Sequence, residues 1–328
     1  MRATLSAASA LLALWAGLCF AQTPPPVRLA LPLVCELGTT CAVQNYVDHD
    51  GKDYRCGTLT YGGHRGTDIR ILDLDVFQSG VPVLAAARGR VRAIRDSMQD
   101  ISIRAPGAPS AANRKAGNSV VIEHGDGWET QYAHLRLGSV KVRAGDYVEA
   151  GDVLGMVGLS GQTEFPHLHF EVRRLGRTVD PFVGLEGGEP CNAGAAPLWT
   201  ARAVRMLEYR ASGVLDAGIS GNEPVLANGQ LDRANLKPLL RSSGAAIFWA
   251  QLYGLRDGDI QELRFIGPDG KVIAQRRVPV TRNRAQSLAY IGAIRHSSWP
   301  AGVYRGEYAL IRGIEKVVEL TREISVSR

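Results

Sequence analysis

The chain has 328 residues, of which 45% are hydrophobic and 21% charged, with a formal net charge of +6. This length and composition fit a globular protein of two domains after processing, with ample apolar side chains for sizeable cores. The positive excess serves solubility or attracts anionic polymers, those of a cell envelope among them. It does not argue for nucleic acid, because no stacking platform or recognised nucleic-acid-binding motif accompanies it.

Residues 1–21 read as a secretory signal, with Arg2 in the positive leader, an apolar run over 10–18 and a small-x-Ala end at Cys19-Phe20-Ala21. The run is short for a membrane span, and Gln22-Thr23-Pro24-Pro25-Pro26 follows at once. No stable span is therefore expected after removal of the signal. Cleavage leaves Cys35, Cys41, Cys56 and Cys191, an even set that in an exported protein suggests disulfides. Four cysteines allow three pairings. The expected one closes a small loop with Cys35–Cys41 and ties the entry of the following domain to its exit with Cys56–Cys191, a long-loop bridge worth up to about 5 kcal/mol. A four-cysteine zinc site would need close Cys-x-x-Cys spacing, which this set lacks. The lead-in over 24–53 reads as irregular, and His49, beside a turn ending in Gly51, as a solvated turn histidine.

From residue 61 the pattern is almost wholly β. Gly62-Gly63-His64-Arg65-Gly66-Thr67-Asp68 places an imidazole and a carboxylate four apart, and its glycines indicate a turn entering a strand rather than a helix. Strands are expected over 81–86 and 89–94, and a surface loop over 105–117. A hairpin joins 118–123 to 128–134 through His124-Gly125-Asp126-Gly127. His124 beside that turn reads as solvated. His134 ends the second strand; Tyr132, two before it, reads as sharing its face, with a hydroxyl either near a metal or packed. Val142, Val148 and Leu154 form a six-residue echo with Gly-Asp pairs between them. No lysine occupies a hairpin tip there, so the echo is turn geometry rather than a prosthetic-group arm.

Glu164-Phe165-Pro166-His167-Leu168-His169-Phe170-Glu171 then sets two histidines two apart in an apolar strand, which sends both imidazoles to one face. Such a pair suits one metal ligand and one acid/base. Catalytic zinc takes three N/O protein ligands and keeps an open position, and His64, Asp68 and one of His167 and His169 can supply the three.

His-x-x-x-Asp, then Tyr-x-His-Leu, then His-Leu-His-Phe-Glu, in that order, resembles the lysostaphin/LytM-type zinc metallopeptidases that cut peptidoglycan peptides. The resemblance covers roughly residues 61–180. It implies one zinc ion on His64, Asp68 and His169, with His134 and His167 flanking the attacking water and moving its protons. It further implies a periplasmic or secreted endopeptidase acting on peptidoglycan peptide stems. Phe165 departs from the family, which commonly has glycine before Pro-His; the departure should reshape the cleft rim without removing a ligand. Arg65 and Thr67 read as scaffold or rim, and Glu171, on the strand parity of the histidines, as a supporting partner ahead of a general base. The rivals are a non-enzymatic regulator that binds wall or partner enzymes with the same fold, and a zinc peptidase acting on proteins. Ligand imidazoles must be neutral, so activity should fall in acid.

Residues 186–197 read as a linker. Beyond it a helical or mixed stretch over 198–209 precedes strand-like runs over 245–252, 260–266, 271–280, 302–311 and 316–326, with a turn at Gly267-Pro268-Asp269-Gly270. This spacing suggests an immunoglobulin-like β-sandwich. Trp249, Tyr253, Trp299 and Tyr304 read as core ahead of a glycan platform, and no catalytic residue is expected after 197. The expected layout is a signal (1–21), a disulfide-bearing lead-in (22–60), an antiparallel β metallopeptidase domain (61–185), a linker (186–197) and a β-sandwich accessory domain (198–328).

Overall fold

The computed structural model describes residues 27–72, 74–185, 197–227 and 230–327. The expected signal, most of the linker and Cys191 lie outside the described residues, and so does the Cys56–Cys191 pairing. Among the described residues no helix is long and apolar enough to cross a membrane.

Mainly antiparallel β structure organises the chain. Its first part contains β1 (Cys41–Asn45), β2 (Thr67–Ile71), helix α1 (Leu74–Ser79), β3 (Pro82–Leu84), β4 (Gly89–Arg95), β5 (Asn118–Glu123), β6 (Trp128–Leu135), β7 (Tyr147–Val148), β8 (Val153–Met156), β9 (His167–Arg174) and β10 (Arg177–Thr178). They form one sheet in the order β1-β2-β9-β6-β5-β4-β7, with β10 on β9, while β3 and β8 pair separately. Alternation explains the sheet's two faces. Ile69, Ile122, Trp128, Tyr132, Leu168, Phe170 and Val172 are buried on one side, and Asp68, Glu129, Gln131, His167, His169 and Glu171 occupy the other. In the six-residue echo, Asp146 and Asp152 each accept a bond at 2.8 Å from the backbone N–H three residues earlier, so one turn geometry occurs twice.

The lead-in is not irregular throughout. Residues 41–45 form an edge strand of the main sheet, anchored by the Cys35–Cys41 disulfide, whose Cα atoms are 5.9 Å apart. Tyr46, next to β1, meets the rings of Tyr54, Phe182 and Tyr209 at 5.2–5.4 Å. Asp53 holds that corner by accepting bonds from Tyr209 Oη and from the N–H groups of Arg55, Gly57 and Leu59. His49 is the exposed turn residue expected, and its Nε2 also lies 2.8 Å from Asp180 Oδ2, clipping the lead-in to the residues after β10. The α1 helix departs from the all-β expectation, because six residues are too few for a helical period to show in sequence.

After the linker come α2 (Ala201–Met206), capped by Thr200, then β11 (Gly213–Ser220), β12 (Leu226–Ala227), β13 (Gln230–Leu231), β14 (Ala245–Leu255), β15 (Ile260–Ile266), β16 (Val272–Pro279), β17 (Arg284–Ile294), β18 (Gly302–Arg312) and β19 (Glu315–Val326). A three-stranded sheet, β11-β14-β17, and a four-stranded sheet, β16-β15-β18-β19, enclose a second core. Strands β11 and β17 escape the sequence pattern. The first carries Gly213, Asp216 and Gly218, residue types depleted in strands, and the second alternates weakly. Trp249, Tyr253, Trp299 and Tyr304 are all buried.

The first core does not stop at the linker. Leu198, Trp199, Ala203, Leu207, Leu215 and Tyr253 belong to it, and the Trp199 ring lies 5.3 Å from Phe170, directly beneath the sheet face that carries the histidines. Burying a side chain of this size contributes about 1.5–3 kcal/mol. A chain ended near residue 196 therefore loses part of the peptidase sheet's own support.

Candidate metal centre and its flanking histidines

Strands β2 and β9 form the floor of the site. Their register sets Asp68 directly opposite His169 and Arg70 opposite His167, so plain alternation delivers Asp68, His167 and His169 to one face. His64 reaches the same point from the turn before β2. The three candidate ligand atoms converge: His64 Nε2 to Asp68 Oδ1 is 3.1 Å, His169 Nδ1 to Asp68 Oδ1 is 2.8 Å, and His64 Nε2 to His169 Nδ1 is 3.2 Å. Zinc–ligand bonds of about 2.0–2.1 Å in a tetrahedron give donor–donor edges of roughly 3.3 Å, so the set fits that ion closely. Gly66 permits the approach of β9: a Cβ there would meet His169 Cε1 at 2.7 Å and the Phe170 carbonyl at 2.7 Å.

The surroundings fix which nitrogen faces inward. His64 Nδ1 donates to the Tyr46 carbonyl at 2.7 Å, leaving Nε2 as the lone-pair atom toward Asp68. Burial alone would lower the His64 pKa, but the Asp68 charge and hydrogen bond, with the Tyr46 carbonyl, raise it overall. Burial pushes Asp68 up, and the charges of His64 and His167 with bonds from His167 and His169 outweigh it, holding the carboxyl well below its ordinary value. A buried carboxylate ringed by imidazole nitrogens is an anionic centre suited to a cation. His169 is the most accessible of the three, with 18% of its side chain exposed against 2–3% for His64 and Asp68.

His134 and His167 stand beside this trio, with ring centroids 4.6 Å apart and His134 5.9 Å from His169. Strand alternation does not place His134 there. Ala133 pairs with His169, while Asn118 pairs with Leu135 and Ser119 with Ala133, which leaves His134 as the extra residue of a β-bulge. Its φ of 62° is left-handed, unusual for a non-glycine residue and found where a bulge re-aims a side chain. Tyr132, expected on the same face, is instead on the core side, 5.3 Å from Phe170, with its hydroxyl oxygen accepting from Thr130 Oγ1 at 3.2 Å and from Ala86 N–H at 2.7 Å. It packs and does not reach the site.

His134 Nδ1 donates to the Ser160 carbonyl at 2.7 Å. Burial, then the neighbouring His167 and His169, hold its pKa well below the usual imidazole value, so it is neutral with Nε2 unprotonated. The 117–161 contact makes this possible: Gly117 has φ 61°, and a Cβ there would meet the Ser160 carbonyl oxygen at 2.2 Å. His167 Nδ1 lies 2.9 Å from the Phe165 carbonyl and 3.0 Å from Thr163 Oγ1, and its Nε2 turns to Asp68 Oδ1 at 3.5 Å.

The remaining candidates sort by contact. Phe165 is 7% exposed, so it is not a rim residue; its ring lies 5.0 Å from His167 with the Arg70 guanidinium 4.4 Å over it. Glu171 is buried, accepts from Arg173 Nη1 at 3.1 Å and faces Arg65 Nε at 3.8 Å, so it holds the sheet face together. Thr67 is buried and Arg65 exposed. His124 is not solvated: its ring nitrogens lie 2.7 Å from the Arg88 carbonyl and 2.8 Å from Thr130 Oγ1, at the far end of β6. Sequence reasoning did not find Asn45, Tyr46, Ser160 or Thr163. Three of these orient a histidine, two of them through backbone carbonyls that no residue type announces.

Residues 62–181 match the family model described as Peptidase family M23. Cell division protein DipM of Caulobacter vibrioides is 35% identical over 112 residues, which are 34% of this chain and 16% of that protein. Peptidoglycan DD-endopeptidase ShyB of Vibrio cholerae is 32% identical over 117 residues, 36% of this chain and 22% of that protein. The chain thus spans under a quarter of the length of either relative. The solved catalytic domain of the prophage-encoded M23 protein EnpA from Enterococcus faecalis, in a mutant form, is 25% identical; the match covers 44% of this chain and 92% of that one, with a TM-score of 0.31.

Proposed function

We propose that the M23 peptidase domain at 62–181 makes this chain an exported zinc endopeptidase that hydrolyses peptide bonds in peptidoglycan cross-links, in the periplasm or outside the cell. The observation that carries this reading is the convergence of His64 Nε2, Asp68 Oδ1 and His169 Nδ1 within 2.8–3.2 Å, beside two further imidazoles of fixed tautomer. Zinc bound there supplies a Lewis acid that polarises an amide carbonyl and acidifies a water.

The chain's own residues supply the rest. Asp68 brings negative charge to balance the ion, and His64 and His169 bring neutral nitrogen lone pairs. His134 and His167 each hold a proton on Nδ1 against a backbone carbonyl, so each presents Nε2 to the cleft. An Nε2 lone pair accepts the proton of an attacking water; once protonated, the same atom donates to the leaving amine or to the developing oxyanion. Groups of this kind typically contribute about 100-fold or more to turnover. The net charge of +6 favours approach to an anionic wall. A non-enzymatic regulator has no need of the full donor set, and this chain keeps all five residues.

The test is mass spectrometry of purified cross-linked muropeptides incubated with the zinc-loaded protein. Cross-linked dimers should decline as monomers appear. Dimers left intact by zinc-loaded protein would reject wall hydrolysis and leave the regulator or a protein substrate.

A further inference from the structure

We infer that Asn45 is a positioning residue for the ion: its side-chain amide ties down one oxygen of Asp68 and so reserves the other for the metal. The inference rests on the zinc reading above and extends it to a strand outside the matched segment 62–181.

The two oxygens of Asp68 have separate partners. Oδ1 faces His169 Nδ1 at 2.8 Å, His64 Nε2 at 3.1 Å and His167 Nε2 at 3.5 Å. Oδ2 accepts from Asn45 Nδ2 at 3.0 Å. A carboxylate can only accept, so the amide must present its NH2 group there. The division fixes the carboxylate plane. Freed of it, Asp68 could rotate and offer both oxygens, filling the position that catalytic zinc keeps open.

The backbone is built to deliver this contact. Ala42 pairs with Arg70 and Val43 with Ile69, but Asn45 pairs with Asp68, so Gln44 is the extra residue of a bulge. Without the bulge, the residue opposite Asp68 would be Gln44. Gln44 instead receives a 2.9 Å bond from Arg70 Nη1, and Tyr46, the residue after Asn45, gives its carbonyl to His64. The Cys35–Cys41 disulfide anchors the start of the strand. One bulged strand thus orients two of the three candidate ligands, in the way outer partners hold first ligands at metal sites.

The test uses the full mature chain with Asn45→Ala and Asn45→Ser, and Gln44→Ala as a control that removes a neighbouring bond on the same strand. Zinc affinity is measured by chelator competition, and Co(II) is substituted to read coordination number from the visible spectrum. Both Asn45 variants should bind zinc about 10–100-fold more weakly than the parent. Their Co(II) bands should lose intensity, as when a tetrahedral site gains a ligand. Gln44→Ala should match the parent on both counts. Parental affinity and an unchanged Co(II) spectrum in the Asn45 variants would overturn the inference. So would loss of the zinc-free fold in both, which would make Asn45 a structural residue. A parent that binds no zinc would instead reject the metal reading itself.

Discussion

The floor of the site and its two flanks are built differently. Strands β2 and β9 pair without a register shift from Thr67 opposite Phe170 to Arg70 opposite His167, and simple alternation carries Asp68, His167 and His169 to the cleft. Strand β1 inserts one extra residue, Gln44, where it meets β2, and strand β6 inserts His134 in its pairing with β5, on the edge away from the floor. The floor therefore holds the candidate ligands Asp68 and His169 together with His167, and the flanks aim Asn45 and His134. Bulges concentrate where a side chain must leave its strand's alternation, and His134 accepts a left-handed φ to do so.

The largest effect comes from attacking the floor from beneath. Trp199 is 1% exposed and lies against Phe170. Trp199→Ala should cost about 3–5 kcal/mol, read by denaturant unfolding. A cost near zero would separate the peptidase sheet from the residues after the linker. The proton-transfer pair is tested next: His134→Ala on the flank and His167→Ala on the floor should each lose about 100-fold or more in turnover while keeping zinc. His124→Ala, at the far end of β6, should turn over at the parental rate. Parental turnover in both of the first two variants would remove them from proton transfer.

Gly66→Ala sharpens the boundary between the regions, because the added methyl would press on the His169 ring and the Phe170 carbonyl together. Zinc affinity should fall by about tenfold or more, on the scale of lost orienting contacts; unchanged affinity would show that β9 can yield there. The smallest effect lies outside both regions. The hydrogen bond from His49 to Asp180 raises the His49 pKa against partial burial. A raised folded-state pKa gives stability that is full below the unfolded value near 6.5 and is lost as pH rises through the folded value. The stability gap between the parent and His49→Ala should therefore narrow between acid and mildly alkaline pH. With 44% of that side chain exposed, the change is small, and a gap that widens would contradict the assignment.

The same contrast explains what could be read in the chain. Period two exposes His167 and His169 as a pair, and the glycines around His64 mark a turn entering a strand, so the candidate ligands are legible as residue types, while the choice of His169 over His167 rests on the family resemblance. Tyr132 shows the limit: it lies two before His134 and was placed on the same face, and one inserted residue set the two apart. A bulge is a property of pairing: the partner of β1 lies beyond a long connection, and within the β5–β6 hairpin no residue type marks His134 as the extra residue. Asn45 sits in a lead-in whose strand character becomes visible only beside β2. The Tyr46 and Ser160 contacts use backbone carbonyls, which every residue carries.

The central claim is that His64, Asp68 and His169 hold the ion while His134 and His167 act on what binds beside it. Metal analysis of the purified parent and of His169→Ala, His134→Ala and His167→Ala tests this directly. One zinc per chain is expected in the parent and in the His134 and His167 variants, with little or none in His169→Ala. Full zinc occupancy in His169→Ala would contradict the assignment.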